Sequence, residues 1–195
     1  MKYYAVKAGN NPGIYESWSD CEKEVRGFKG AIYKSFSSLE EAQAFLKEEK
    51  KNMTFSHGLV AYVDGSFNAK KGVYGYGVVL LEGQKVVKQI YGKGEHSDYV
   101  GMRNVAGEIF GSEVAIEYAI DHGYDGIAIY YDYEGIEKWA TGLWKANKPG
   151  TINYQKNIKA YREKIQILFY KVLAHSGDTY NEMADGLAKK AVGIS

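Results

Sequence analysis

The chain has 195 residues, 45% hydrophobic and 14% aromatic, enough apolar material for a packed core, which excludes a disordered polypeptide. A formal net charge of +1 excludes the strongly basic overall field of many nucleic-acid binders, so any such contact has to come from local patches. One cysteine, Cys21, excludes an internal disulfide, and without an apolar leader or a run of about 20 apolar residues the expectation is a soluble, cytoplasmic chain outside the membrane.

From the N-terminus, "YYAVKAG" reads as a strand, "NNPG" as a turn and "IYESW" as a second strand. "SDCEKEVRG" reads as a short helix, with Ser19 or Asp20 as its cap and Gly27 just past its end. "AIYKSF" is a third strand. "SSLEEAQAFLKEEKK" is a helix with Ser37 or Ser38 as cap, Glu40 and Glu41 in the first turn and lysines at the end. Residues 1–50 are therefore expected to form a small α+β domain of three strands and two helices, near the lower size limit for independent folding. The polar, aperiodic residues 51–57 are expected to be a linker, and residues 58–195 a second domain.

The second domain opens with a strand over 59–67, "LVAYVDGSF", followed by strands near 73–81 and 85–95 joined at Glu82-Gly83, a hairpin signature. A helix near 103–121, a strand over 126–131 and a helical stretch over 134–145 follow. A Pro-Gly interruption at 149–150 then precedes a helix near 152–163, a strand over 165–173 and a helix over 179–191. The first three strands are expected to be antiparallel, and the later ones, each after a helix, to be parallel. This is an α/β class, a mixed sheet with flanking helices.

Two of the apolar strands end in an acid, Asp64 and Asp132. If those strands are parallel neighbours, both carboxylates lie at the carboxyl-terminal edge, where open α/β sheets place their sites. The helix between them carries Val105, Ile109, Ile116 and Ile120 in one stripe, with Glu108 on its flank. The last helix turns Met183, Leu187 and Ala188 inward, which leaves Asp185 near the inner flank. Singly, Asp64 and Asp132 can be read as turn formers, and Glu108 and Asp185 are better read as solvated helix residues. Together, with no matching lysine, they would repel, and hard divalent cations, magnesium or manganese, are the natural partners of such oxygens. Two such ions about 4 Å apart activate a water and steady a leaving oxygen. Cys21 and the scattered His57, His96, His122 and His175 make no zinc pattern.

The segments "YVDGSF", "RNVAGEIFGSEVAI", "IYYDYEGIEKW" and "HSGDTYNEMADGLAKKA" resemble, in order and approximate spacing over residues 59–192, the ribonuclease H type 1 family. The resemblance implies the ribonuclease H fold, with a five-stranded mixed sheet. It also implies magnesium-dependent, two-ion hydrolysis of the RNA strand of RNA–DNA hybrids, leaving 5′-phosphate and 3′-hydroxyl ends, with Mn2+ as a substitute. By the same resemblance Asp64 bridges two Mg2+ ions, Glu108 and Asp132 complete one site, and Asp185 belongs to the other. His175 matches a loop histidine that assists proton transfer or product departure, and Glu182 an acid linked to metal exchange. Asn104 matches an asparagine that reads the hybrid groove, although a helix cap is an equally open reading of it. Val105 stands where the family often has glutamine, and Arg103 where it has a phosphate-binding threonine. A basic protrusion of many relatives is shortened here to "WATGLWKANKPGTINYQKNIKAY", in which Lys145, Lys148 and Lys156 remain, near Thr151 or Asn153 as phosphate contacts.

The first fifty residues are similar to the hybrid-binding domain found ahead of some ribonucleases H and in caulimovirus inclusion-body proteins. Trp18 and Tyr33, interleaved with Arg26, Lys29 and Lys34, suit stacking plus phosphate contact, although core packing of both aromatics is equally open from the residues alone. The resemblance implies that Trp18 and Tyr33 stack on the hybrid and Lys34 meets phosphate, with Ser35 in place of a second lysine. An RNA–DNA hybrid is thus the expected partner of a monomer that needs no protein partner. A non-catalytic module binding hybrid or double-stranded RNA on the same fold is the alternative; the presence of all four acids favours the enzyme.

Overall fold

A computed structural model of the chain describes residues 2–28, 31–47, 55–172 and 178–194. The chain divides into two compact units, Met1–Thr54 and Phe55–Ser195.

In the first unit the order is β1 (Tyr3–Ala8), β2 (Gly13–Tyr15), α1 (Trp18–Val25), β3 (Ile32–Phe36) and α2 (Leu39–Lys47), with an antiparallel sheet ordered β2-β1-β3. Trp18, expected at the end of a strand, is instead the first residue of α1. Ser17, not Ser19 or Asp20, caps that helix: its hydroxyl accepts the Asp20 N–H and donates to the Asp20 carboxylate. At α2, Ser38 Oγ accepts the Glu41 N–H while the Glu41 carboxylate accepts the Ser38 N–H, a reciprocal capping box. Trp18 of α1 packs on Tyr33, and Phe45 of α2 packs on Phe36. Those two β3 residues are three apart, so α1 and α2 cover opposite faces of the sheet. Ala5, Val6, Cys21 and Ala42 form the small interior.

The second unit contains β4 (Gly58–Asn68), β5 (Val73–Glu82), β6 (Lys85–Gly94), α3 (Ser97–Val100), α4 (Asn104–Asp121), β7 (Gly126–Tyr131), α5 (Gly135–Ala140), α6 (Pro149–Tyr161), β8 (Gln166–Lys171) and α7 (Thr179–Val192). Its sheet runs β6-β5-β4-β7-β8, antiparallel through β4, β5 and β6 and parallel from β4 to β7 and β8. Side chains of β4 alternate between two cores. Leu59, Ala61 and Val63 join Ile109 and Ile116 of α4, whereas Val60 joins Ala184 of α7, with Tyr62 packed against them. Helices α4 and α7 therefore lie on opposite faces. Glycines permit the close approach of α7: a Cβ on Gly77 would stand 2.0 Å from the Ala184 carbonyl oxygen.

Three boundaries differ from expectation. Pro149 does not interrupt a helix but starts α6, because its missing N–H and fixed φ suit the first helical position. Helix α5 is shorter than the expected 134–145, ending before Gly142, which adopts φ +78°. Phe55, Ser56 and His57, expected in the linker, are held in the second unit. The Phe55 ring fills the space beside Gly58 and Gly126, and the Asp125 carboxylate accepts the N–H groups of Ser56 and His57.

Candidate active site

The parallel ladder of β4 and β7 pairs Tyr62 with Tyr130, so continuing the register by two residues brings Asp132 level with Asp64 on the same face. Asp132 lies just past the end of β7, where the backbone leaves the ladder. Glu108 comes from the second turn of α4, held against β4 at Gly65: a Cβ there would meet the Asn104 carbonyl oxygen at 2.0 Å and the Glu108 N at 2.7 Å. The result is that Asp64, Glu108 and Asp132 offer carboxylate oxygens all within 4.8 Å of one another.

The electrostatics of this triad are those of mutually repelling, poorly hydrated acids. Asp64 is 9% exposed. Burial first, and then the Asp132 charge, push its carboxyl up to about 7, against the Gly65 N–H that its Oδ1 accepts at 2.7 Å. Glu108 is 1% exposed. Burial, followed by Asp132 and Asp64, raises it well above the ordinary carboxyl range, while the Tyr133 backbone N–H works in the other direction. Glu108 Oε2 is buried without a hydrogen-bond partner among the described residues. An orphaned oxygen on one of three clustered carboxylates fits a hard divalent cation, which would supply the missing partner and offset the repulsion.

Asp185 lies outside this close set but within electrostatic range, since its charge also raises Asp64. Contrary to the expectation of acids with no matching lysine, Lys189 Nζ meets Asp185 Oδ2 at 2.6 Å, one helical turn along α7. The i, i+4 spacing of that pair was present in the sequence. Asn181, a turn before Asp185, carries no sequence signal that singles it out; it is 5% exposed, and its Oδ1 has no partner among the described residues. Glu182 is exposed on the same helix, and His175 lies outside the described residues. Glu134, two residues past Asp132, is not free to join the triad: Lys138 and Lys171 both bind it and hold its carboxyl down at about 2.

Next to the acids, a cavity of about 290 Å³ is lined by Met102, Val105, Tyr133, Trp139, Lys145 and Lys148, among others. Lys156 lines a separate cleft with Lys159 and Arg162. The other expected phosphate ligands are engaged internally. The Thr151 hydroxyl is bonded to both backbone groups of Lys148 at the start of α6, and Asn153 donates to the Tyr99 hydroxyl. Arg103 occupies the N-cap position of α4 with φ +54°, the left-handed region that non-glycine residues seldom enter. Asn104 is the first helical residue rather than its cap, and its side chain is exposed.

In the first unit, Trp18 is 42% and Tyr33 45% exposed, which rules out the core reading. Tyr4, Trp18 and Tyr33 form a continuous surface row with ring centroids 5.7 Å apart at each step. Lys34 is exposed on the opposite face of edge strand β3, its Nζ 5.5 Å from the Phe36 ring.

Two family models match the chain, "Ribonuclease H1 N-terminal domain" over residues 2–46 and "RNase H" over residues 56–193. A ribonuclease H of Wolbachia pipientis is 28% identical over 143 residues, 69% of this chain and 94% of that protein. A ribonuclease H of Saccharomyces cerevisiae is 41% identical over 63 residues, which span 32% of this chain but 18% of the yeast protein. The crystal structure of ribonuclease H1 from the halophilic archaeon Halobacterium salinarum covers 70% of this chain and 98% of its own, at 25% identity and a TM-score of 0.60. With the matched residues 56–193 taking in the sheet, both flanking helices and the acidic triad, the chain belongs to the ribonuclease H family.

Proposed function

We propose that the chain is a magnesium-dependent endonuclease that hydrolyses the RNA strand of RNA–DNA hybrids, leaving 5′-phosphate and 3′-hydroxyl ends. The observation that carries this reading is the triad of Asp64, Glu108 and Asp132, in which Glu108 is fully buried with one oxygen that has no hydrogen-bond partner among the described residues. Family membership supplies the reaction class, and the triad supplies a place for the ions. Asp64, Glu108 and Asp132 would hold one Mg2+ ion, and Asp64 with Asp185 the other. When bound, such a pair of ions lowers the pKa of the attacking water and stabilises the departing 3′-oxygen.

The chain's own residues do the rest. Asp64 and Asp132, fixed by the β4–β7 register, set the spacing of the site, and the buried flank of α4 keeps water from the Glu108 carboxylate. Asp185 enters the site when Lys189 releases it. Arg103, Lys145 and Lys148 take the nucleic-acid backbone beside the acids, and Asn104 reads the groove. His175 assists proton transfer or product departure, and Glu182 assists ion exchange. In the first unit, the Trp18–Tyr33 row stacks on the hybrid and Lys34 meets phosphate. Incubation of an end-labelled RNA–DNA hybrid with the protein and Mg2+ should yield shortened RNA strands, and Asp132→Asn should yield none. Hybrid left intact by the wild-type chain would refute the enzyme reading.

A further inference from the structure

We propose that a lysine cluster around the last turn of α7 is a second nucleic-acid contact surface, separate from the acidic edge, that carries the phosphates of the duplex beyond the cleavage point. The proposal rests on the hybrid-binding reading above. Asn68 builds the corner: its Nδ2 donates to the Val192 carbonyl at 3.0 Å, while its Oδ1 accepts the N–H groups of Lys70 and Lys71 at 3.1 and 3.2 Å. The side chain thus pins the Lys70-Lys71 turn to the end of α7, and Lys71 Nζ lies 3.0 Å from where a Cβ on Gly193 would stand. Strand β6 contributes from the side. Tyr91 pairs with Gly77 and Lys93 with Gly75, and both glycines face α7, a Cβ on Gly75 meeting Val192 at 2.6 Å. Lys190 Nζ sits 4.8 Å from the Tyr91 ring, which is 47% exposed.

Lys70, Lys71, Lys93 and Lys190 are all exposed, and among the described residues none is in an ion pair. In the same structure Lys23, Lys138, Lys171 and Lys189 are each paired with an acid. The negative end of the α7 dipole accounts for a cation such as Lys190 in the last turn. It does not account for Lys93 on a neighbouring strand or for an exposed tyrosine between them. Unpaired ammonium groups around an exposed aromatic ring are the chemistry that meets a sugar–phosphate backbone. The corner at Asn68 is four residues past Asp64 along β4, about 13 Å at about 3.3 Å per residue. That corresponds to about four base-pair steps at about 3.4 Å each.

The test is the combined variant Lys70→Gln/Lys71→Gln/Lys93→Gln/Lys190→Gln, assayed on a hybrid of about 20 base pairs against salt concentration. Each phosphate contact contributes a slope of about 0.9 in log K against log salt, so the slope should become shallower by about 2 to 4. The KM near 0.1 M salt should rise by about tenfold or more with kcat unchanged, and the corresponding Lys→Arg variant should behave as wild type. A slope and KM equal to wild type would overturn the surface, as would a lowered melting midpoint with no change in slope, which would leave the lysines a helix-end role. Loss of binding to anionic phospholipid vesicles with an unchanged hybrid slope would assign the patch to a lipid surface and overturn the proposal too. Failure of the wild-type chain to bind hybrid at all is a different result, and refutes the functional reading beneath it.

Discussion

Gly65 and the carbonyl of Asn104 approach more closely than any side chain permits: a Cβ on Gly65 would stand 2.0 Å from that oxygen. The contact presses the first turns of α4 onto β4 and so sets how far the Glu108 carboxylate reaches towards Asp64. Gly65→Ala must push α4 outward, because the obstacle is backbone and has no alternative rotamer. A loss of about 1–3 kcal/mol is expected from overpacking of this kind. Hybrid cleavage should fall by more than the folded fraction does, since the triad is spread. Thermal melting and cleavage on one preparation check this; an unchanged melting midpoint would contradict the close approach.

Glu108→Gln separates the two consequences of burying an acid among acids. The amide keeps the shape but removes a charge that burial and two neighbouring carboxylates disfavour. In chelator at pH 8 the melting midpoint should therefore rise above wild type, while Mg2+-dependent cleavage falls by orders of magnitude. A variant that melts lower than wild type under those conditions would show that Glu108 stabilises the fold through contacts other than the triad.

Stability without metal should depend on pH with a definite sign. Asp64 and Glu113 have carboxyls raised to about 7, and Glu108 is raised as well, in each case chiefly by burial. The folded chain then keeps protons that the unfolded chain has already released. Stability is full below the unfolded carboxyl pKa near about 4 and is lost as the pH rises through about 7. Mg2+ should restore the part that belongs to Asp64 and Glu108. It should leave the part due to Glu113, which accepts from Asn157 Nδ2 at 2.9 Å and stands outside the triad. Melting curves between about pH 5 and 8 in chelator and in Mg2+, repeated with Glu113→Gln, test both halves.

How much of this was legible in the sequence depends on whether a residue's fate is set locally. Apolar runs ending in Asp64 and Asp132 give strands and a shared edge because strand period and crossover handedness leave few arrangements. The stripe of α4 gives its buried face, with Ile109 and Ile116 fully enclosed. Trp18 reads as strand from the sequence because the deciding event is which of Ser17, Ser19 and Asp20 caps α1, and all three can do so. Pro149-Gly150 reads as a break until Pro is placed at the first helical position, where it is favoured. The packing of Gly65 on Asn104, and the absence of a partner for Glu108 Oε2 among the described residues, arise between segments far apart in the chain, and no local pattern encodes them.

The pair formed by Lys189 and Asp185 yields a prediction about metal affinity. Lys189 holds the Asp185 carboxylate and also lowers the Asp64 pKa by its charge. A cation entering beside Asp64 and Asp185 has to displace that ammonium group or share the carboxylate with it. Lys189→Met should therefore lower the Mg2+ concentration giving half-maximal cleavage, because a competing positive charge is gone. Titration of activity against Mg2+ measures this, and a higher half-saturating concentration would mean that Lys189 positions Asp185 rather than competing for it.

Trp18→Ala bears on the other unit and on binding alone. Trp18 touches Tyr4 and Tyr33 but is 42% exposed, so removing it leaves the buried Val6, Cys21 and Ala42 in place. The melting midpoint of the chain should move little. Stacking on a base or sugar is a different matter: the loss of one aromatic platform is worth about 1–3 kcal/mol, or about 5- to 150-fold in affinity. The expected result is weaker hybrid binding and a raised KM, with kcat at saturating hybrid unchanged, since the acids proposed to act on the scissile bond belong to the other unit. Fluorescence anisotropy with labelled hybrid, in Ca2+ or on an Asp132→Asn background so that the strand stays whole, reads binding without cleavage. Affinity equal to wild type in that assay would remove Trp18 from the binding surface and leave the Tyr4–Trp18–Tyr33 row as packing at the edge of a small domain.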